Sequence, residues 1–356
     1  MKAFQNTLHH IASILSFENN REQLKLQIEN KTIDWDNIVK VASSYLILPA
    51  IYSRLKSKDL LNLLPEELKN YLQYISDLNT DRNNTLLEEV KLISKWFSLE
   101  QIEHVFLKGT AMIASNYYKD NTERMIGDID VLVPKNQSQK AFDLLLSKGY
   151  TYASTPTINP KYFEDKHLYR LASKAHIGAV EIHFKLLDKD QKDFEPRDVL
   201  ADKQFVGTDN IPIASVKHLV LHNILNFQIN DKGSYYNFIG LKNYFDTLVL
   251  LPRLNTSDLA SITKNVYVRD NINLGTLYFK EFPSLKKTIR ERLKLNTYRF
   301  ISSNRRAKSL HYKSLAYFDL SKLLLHRTWF FIKNKNYRKD VLNDKERITE
   351  FIKSKL

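Results

Sequence analysis

Asp128 and Asp130 stand one residue apart in MIGDIDVLV, and Lys108-Gly109-Thr110 lies upstream in HVFLKGTAMIASNYY. Read as a strand, DIDVLV alternates its side chains, so the two carboxylates leave the same face about 7 Å apart. Carboxylates placed in that way can share hard divalent cations. Mg²⁺ takes oxygen ligands, gives up its waters reluctantly, and is held by one or two carboxylates together with substrate phosphates. The pattern therefore calls for a triphosphate to complete the site, and the chemistry it suits is metal-assisted nucleotidyl transfer.

The Asp-x-Asp spacing alone carries little, because it recurs at Asp34/Asp36 in a helix start and at Asp188/Asp190 in the polar loop LLDKDQKDFEPRD. What separates Asp128/Asp130 is its surroundings: Ile129, Val131 and Val133 on the opposite face, Pro134 closing the run, and the Lys108-Gly109-Thr110 turn before it. That turn follows apolar His104-Val105-Phe106-Leu107 and precedes a helical pattern through Ala111, Ala114, Ser115 and Tyr118. Gly109 lets the backbone turn close to a ligand. Thr110 is expected as the N-cap, with the amides of the first turn and the Lys108 ammonium facing phosphate oxygens. The same residues also suit a plain strand-to-helix turn.

A third acid is expected on a neighbouring strand. In GAVEIHFKL, Val180, Ile182 and Phe184 alternate with Glu181, His183 and Lys185, so Glu181 and His183 share the functional face, with KHLYRLASKAHIG as the partner strand of a hairpin. His183 suits either nucleotide contact or a hydrogen bond within the strand, and His167 is better placed than His176 to reach the site. His218 and His222 have the helical spacing of a zinc pair, but no accompanying motif or cysteine supports zinc, so packing or hydrogen bonding is expected of them.

From Ile33 to Leu251 the chain resembles a bacterial family of uncharacterised nucleotidyltransferases, a branch of the DNA polymerase β-like superfamily. The resemblance rests on IDWDNIVKVASSYLILPAIYSRL, the helical lead into FLKGTAM, the arginine before GDIDVLV, the VEIHF strand, and a later helical His and Asp. It implies an α+β fold: a polymerase β-like palm with a mixed sheet, flanked by N-terminal and C-terminal helical regions. The implied activity moves a nucleoside monophosphate from an NTP, ATP foremost, to a hydroxyl of an acceptor that is a small molecule, sugar, protein or RNA. Asp128, Asp130 and Glu181 match the catalytic and metal-binding acids for Mg²⁺ or Mn²⁺. Asp130 and Glu181 would hold one ion, and Asp128 and Asp130 the other. Lys108, Gly109, Thr110, Arg124 and His183 are the expected nucleotide contacts. Thr110 stands where Ser or Gly is usual, and Lys242 where Arg often precedes the helical Asp246. The alternative is a catalytically silent nucleotide- or RNA-binding protein of the same fold, although three clustered carboxylates repel one another unless a cation offsets them.

Four regions are expected: a helical region over 1–100, the nucleotidyltransferase core over 101–213, a helical region packing on it over 214–284, and a basic helical region over 285–356. Pro49 and Pro65 break the first into several short helices. Asp246 sits among apolar neighbours and needs a partner such as Lys242 or Arg253 if it does not meet the nucleotide. The last region holds 20 Lys+Arg against 6 Asp+Glu, which equals the whole net charge of +14. RNA or another polyanion suits such a surface, though lysine-rich helix faces also serve solvation alone. Trp329, Phe330 and Phe331 beside Arg327 and Lys333 suit a membrane surface, but packing onto the helical body is the preferred reading. The absence of cysteine excludes disulfides and thiolate metal sites. No signal-like or membrane-spanning run occurs, so a cytoplasmic protein is expected.

Overall fold

The computed structural model describes residues 2–154 and 159–344; the last part of the basic region, 345–356, lies outside them. Among the described residues seven strands form one mixed sheet: β1 (Val105–Phe106), β2 (Asp128–Leu132), β3 (Thr151–Tyr152), β4 (Leu171–Ala172), β5 (Ala179–His183), β6 (Lys203–Val206) and β7 (Ile211–Ala214). Their order is β3-β4-β5-β2-β1-β7-β6. β2 runs parallel to β5 and antiparallel to β1, β1 is parallel to β7, and the β4–β5 and β6–β7 pairs are antiparallel. The two strands carrying the acids are therefore at the centre. Their reverse face buries Ile129, Val131, Val180 and Ile182 completely or nearly so, and at about 2 kcal/mol per fully buried branched side chain this anchors the pair.

One helix of 34 residues, Glu66–Leu99, backs the sheet. The expected series of short helices stops there: Pro65 only starts this helix, and no Pro or Gly follows it before Leu99 to end it. Its inward face carries polar residues with defined tasks. Asn79 and Asn83 donate from Nδ2 to the Arg124 carbonyl at 3.1 and 2.8 Å, fixing the segment that enters β2. Glu89 accepts from Tyr150 Oη at 2.7 Å and from the Gly178 amide at 2.8 Å, fixing the turn into β5. At Gly178 a Cβ would lie 2.6 Å from both Glu89 Oε2 and Ile129 Cδ1, so only glycine lets the turn approach.

The helices Val216–Leu225 and Leu241–Leu250 roof the acid side of the sheet. Farther along, a capping box of Thr288 and Glu291 opens the helix Ile289–Ser303, followed by the 29-residue helix Arg305–Lys333 and by Lys335–Asn343. The expected packing of the tail aromatics holds for Phe330, which meets Phe163, Tyr162 and Tyr337. It fails for Trp329, which remains 59% exposed, because the next residue along a helix points about 100° away. No helix among the described residues is long and apolar enough to cross a membrane.

Candidate active site

Register brings the acids together. Asp130 pairs with Glu181 across the parallel β2–β5 ladder, and Asp128 with Ala179, so Asp128, Asp130, Glu181 and His183 rise from one face. Metal-ligand atoms of Asp130, Glu181 and His183 lie within 4.8 Å of one another. Asp128 stands apart from this trio, one strand repeat away, and its carboxylate is paired with Arg170. Sequence reasoning missed Arg170. Its signal was parity: Leu171 pairs with Val180 on the buried face, which turns the preceding side chain toward the acids.

The positive groups are already engaged. Lys108 Nζ lies 2.6 Å from Asp130 Oδ1, and His183 Nε2 lies 2.8 Å from the same oxygen and 3.4 Å from Glu181 Oε2. His167 Nε2 stands 3.7 Å from Glu181, whereas His176 stacks on Tyr150 away from the site. Arg124 does not face the cleft freely. Its Nε lies 3.0 Å from Asp246 Oδ2, and Tyr118 Oη donates to Asp246 Oδ1 at 2.5 Å. This corrects the expected partners of Asp246: Arg253 instead donates to the carbonyls of Val249 and Tyr117. A buried carboxylate is best served by a guanidinium and a phenol reached across the fold.

The turn before the helix Lys108–Ala114 also differs from expectation. Leu107 occupies the N-cap position, while Thr110 lies inside the helix and donates from Oγ1 to the Asp128 carbonyl at 3.2 Å. The left-handed residue is Lys108, at φ +52°, not Gly109. That conformation is uncommon for a lysine and is held here by the bridge to Asp130. The Ala111 amide is the first to bond back, to Leu107, so the amides of Lys108, Gly109 and Thr110 precede the helical ladder. Gly109 lies over the Arg124 guanidinium, 3.5 Å from where its Cβ would stand.

A cleft of about 370 Å³ opens above these groups, lined by Lys108, Asp128, Asp130, His222, Asp231 and Lys242 among others. Glu181 and His183 do not line it; they meet Asp130 from the β5 side. His222 packs as expected, buried with its ring 5.7 Å from that of Phe194, and neither ring nitrogen has a hydrogen-bond partner among the described residues. His218 does hydrogen-bond, to Ser215 at 3.1 Å.

The family model described as "uncharacterised nucleotidyltransferase" matches residues 31–282. The chain belongs to this family. The crystal structure of JHP933 from Helicobacter pylori is similar at 16% identity, covering 70% of this chain and 97% of that one, with a TM-score of 0.30. No curated protein matches. The seven-stranded mixed sheet with its many helices is consistent with the α+β fold of a nucleotidyltransferase.

In this nucleotidyltransferase the electrostatics favour charged forms at the acids. Burial pushes the Asp130 carboxyl up, but the Lys108 ammonium and the His183 hydrogen bond outweigh it and hold it well below the ordinary carboxylate range. Glu181 is also held low: burial and Asp130 oppose ionisation, and the two histidines prevail. Lys108 is raised, because Asp130 and Glu181 offset the cost of its burial. On the far wall, Arg124 and burial bring Lys242 down to about 8, and burial lifts Asp231 above its usual value. The cleft thus combines ionised acids on the sheet with two crowded cations, Arg124 under Gly109 and Lys242 on the roof, an arrangement that an added polyanion would relieve.

Proposed function

We propose that this protein is a Mg²⁺- or Mn²⁺-dependent nucleotidyltransferase that moves a nucleoside monophosphate from an NTP, ATP foremost, to an acceptor hydroxyl with release of pyrophosphate. The observation that carries this reading is the convergence of Asp130, Glu181 and His183 within 4.8 Å beside a cleft that also holds Asp128. The donor set fits a divalent cation: Asp130 is ionised, and its neighbours supply a second carboxylate and an imidazole. Asp128, Asp130 and Glu181 would hold the metal, with His183 at its edge. When bound, the metal would polarise the phosphoryl oxygens and lower the pKa of an attacking hydroxyl.

The chain's own residues do the rest. Lys108 lies at the edge of both cleft and acids, so a triphosphate entering beside Asp130 would meet its ammonium and the free amides of the first helical turn. Lys242 is the second cation positioned for phosphate. Arg124, held by Asp246, shapes the wall under Gly109 and adds fixed positive charge. Arg170 must yield Asp128 when a metal enters, which sets a cost on metal binding.

The alternative is a nucleotide-binding protein without chemistry, and one observation favours it: Arg170 and Lys108 already neutralise both aspartates. Incubation with α-labelled ATP, Mg²⁺ or Mn²⁺ and cell extract distinguishes the two. Transfer of label by the native protein and not by Asp128→Asn supports the enzyme. Tight binding of ATP with no metal-dependent transfer or hydrolysis supports the silent binder.

A further inference from the structure

The helix Arg305–Lys333 buries no residue, yet it is held in place along one side. His311 Nε2 lies 3.1 Å from the Tyr236 carbonyl, Asp319 pairs with Lys232 at 2.5 Å, Arg327 sits 3.5 Å over the Phe163 ring, and Phe330 packs on that ring. These contacts fix which face turns outward. On the outward face Leu310, Tyr317, Phe318, Leu325, Trp329 and Ile332 form one stripe, and Leu310, Leu325 and Ile332 are 70%, 72% and 64% exposed. At 100° per residue these six positions fall within a sector of about 120°, which they share with exposed Ser314, Ser321 and Thr328 and which His311 bounds on one side, with Asp319 and Phe330 opposite.

Charge defines what can cover the stripe. The helix carries seven basic residues against one acid, Asp319, and that acid faces inward to Lys232. Lys313, Lys322 and Lys333 are exposed along the flanks of the stripe. Leu, Ile, Phe and Trp interleaved with small hydroxyl side chains and bordered by lysines suit a helix lying in a lipid headgroup layer, with its apolar side chains reaching about 5–10 Å inward and the hydroxyls left among the headgroups. A second copy of this helix would bring the same excess of positive charge against it. RNA would gain nothing from Leu310, Leu325 and Ile332, which have no hydrogen-bonding group and no ring to stack. The helix is about 43 Å long, enough to span a bilayer, but too polar to do so, and it lies along the surface instead.

We propose that this helix docks the protein on an anionic lipid bilayer, with the apolar stripe inserted at headgroup depth and the flanking lysines on lipid phosphates. The proposal does not depend on whether the cleft is catalytic. The test is co-sedimentation of the full chain with phosphatidylcholine vesicles with and without phosphatidylglycerol, alongside gel filtration and a single-stranded RNA binding assay. Leu325→Glu/Trp329→Glu alters exposed positions and should leave the melting temperature unchanged. Binding to the anionic vesicles is expected to exceed binding to the neutral ones, to weaken with salt, and to fall by about tenfold or more in the double variant. Absence of vesicle binding, or binding undiminished in the double variant, overturns the proposal. So does a dimer that the double variant dissolves, or RNA binding that displaces the vesicles and survives in the double variant.

Discussion

Replacement of Asp130 by Asn tests the electrostatic centre of the site. The Asp130 carboxylate receives two charge-assisted contacts, from Lys108 at 2.6 Å and His183 at 2.8 Å. Each such bond contributes about 1.5–3 kcal/mol net, and the amide oxygen of Asn retains one acceptor, so a stability loss of about 2 kcal/mol is expected. The fold should survive that loss. Turnover should not: removing one acid from the cluster is expected to lower metal-dependent transfer by about a thousandfold or more. Thermal melting gives a second readout. A ligand at 100 times its dissociation constant stabilises a protein by about 2.7 kcal/mol, so Mg²⁺ with ATP should raise the melting point of the native chain and fail to raise that of Asp130→Asn to the same extent. A variant that turns over at the native rate, or that Mg²⁺ and ATP stabilise as much as the native chain, would falsify the assignment of Asp130.

Other perturbations probe the supports. Asp246→Asn leaves Arg124 buried without its carboxylate and is expected to cost about 3–5 kcal/mol, of which Arg124→Met added to it should restore a large part; denaturant unfolding of the single and double variants measures this, and equal loss in both would reject the pairing. Burial, only partly offset by Arg54 and Ser53, raises the Glu123 carboxyl to about 7. The folded state then holds that proton more tightly than the unfolded state, so this group costs nothing below about pH 4.5 and progressively destabilises the fold as pH rises through 7, by about 3 kcal/mol in full. Unfolding curves of Glu123→Gln should lack that slope, and an identical pH profile would contradict the burial argument. Gly178→Ala must displace Glu89 or Ile129 and should destabilise by about 1–3 kcal/mol with reduced transfer, while a neutral substitution would show that the turn has slack.

Legibility differed from element to element for physical reasons. Strand periodicity is local, so DIDVLV and AVEIH were readable as strands and their shared parity placed Asp128, Asp130, Glu181 and His183 on one face; the hairpin into β5, the β6–β7 pair and the helix after Ser215 were readable from turns and caps. The length of Glu66–Leu99 was less plain, because weak apolar periodicity in a polar stretch hides a helix whose inward Asn79, Asn83 and Glu89 serve other segments. Long-range partners left little local trace. Arg124 meets Asp246 across 122 residues, and nothing in either neighbourhood ranks it above Lys242 or Arg253; for Arg170, which meets Asp128 across 42, strand parity gives the face but not the partner.

The order of residues determined the central strands and which side chains share a face, since both follow from backbone alternation and short-range turn chemistry, while the family followed from the resemblance of its motifs in sequence. The tertiary structure decided which of those side chains meet: Asp130 with Glu181 and His183, Asp128 with Arg170, and Lys108 turned onto the acids. Strand register, a helix roof and the burial they impose set those distances and protonation states, and such quantities belong to the packed chain rather than to any segment of it.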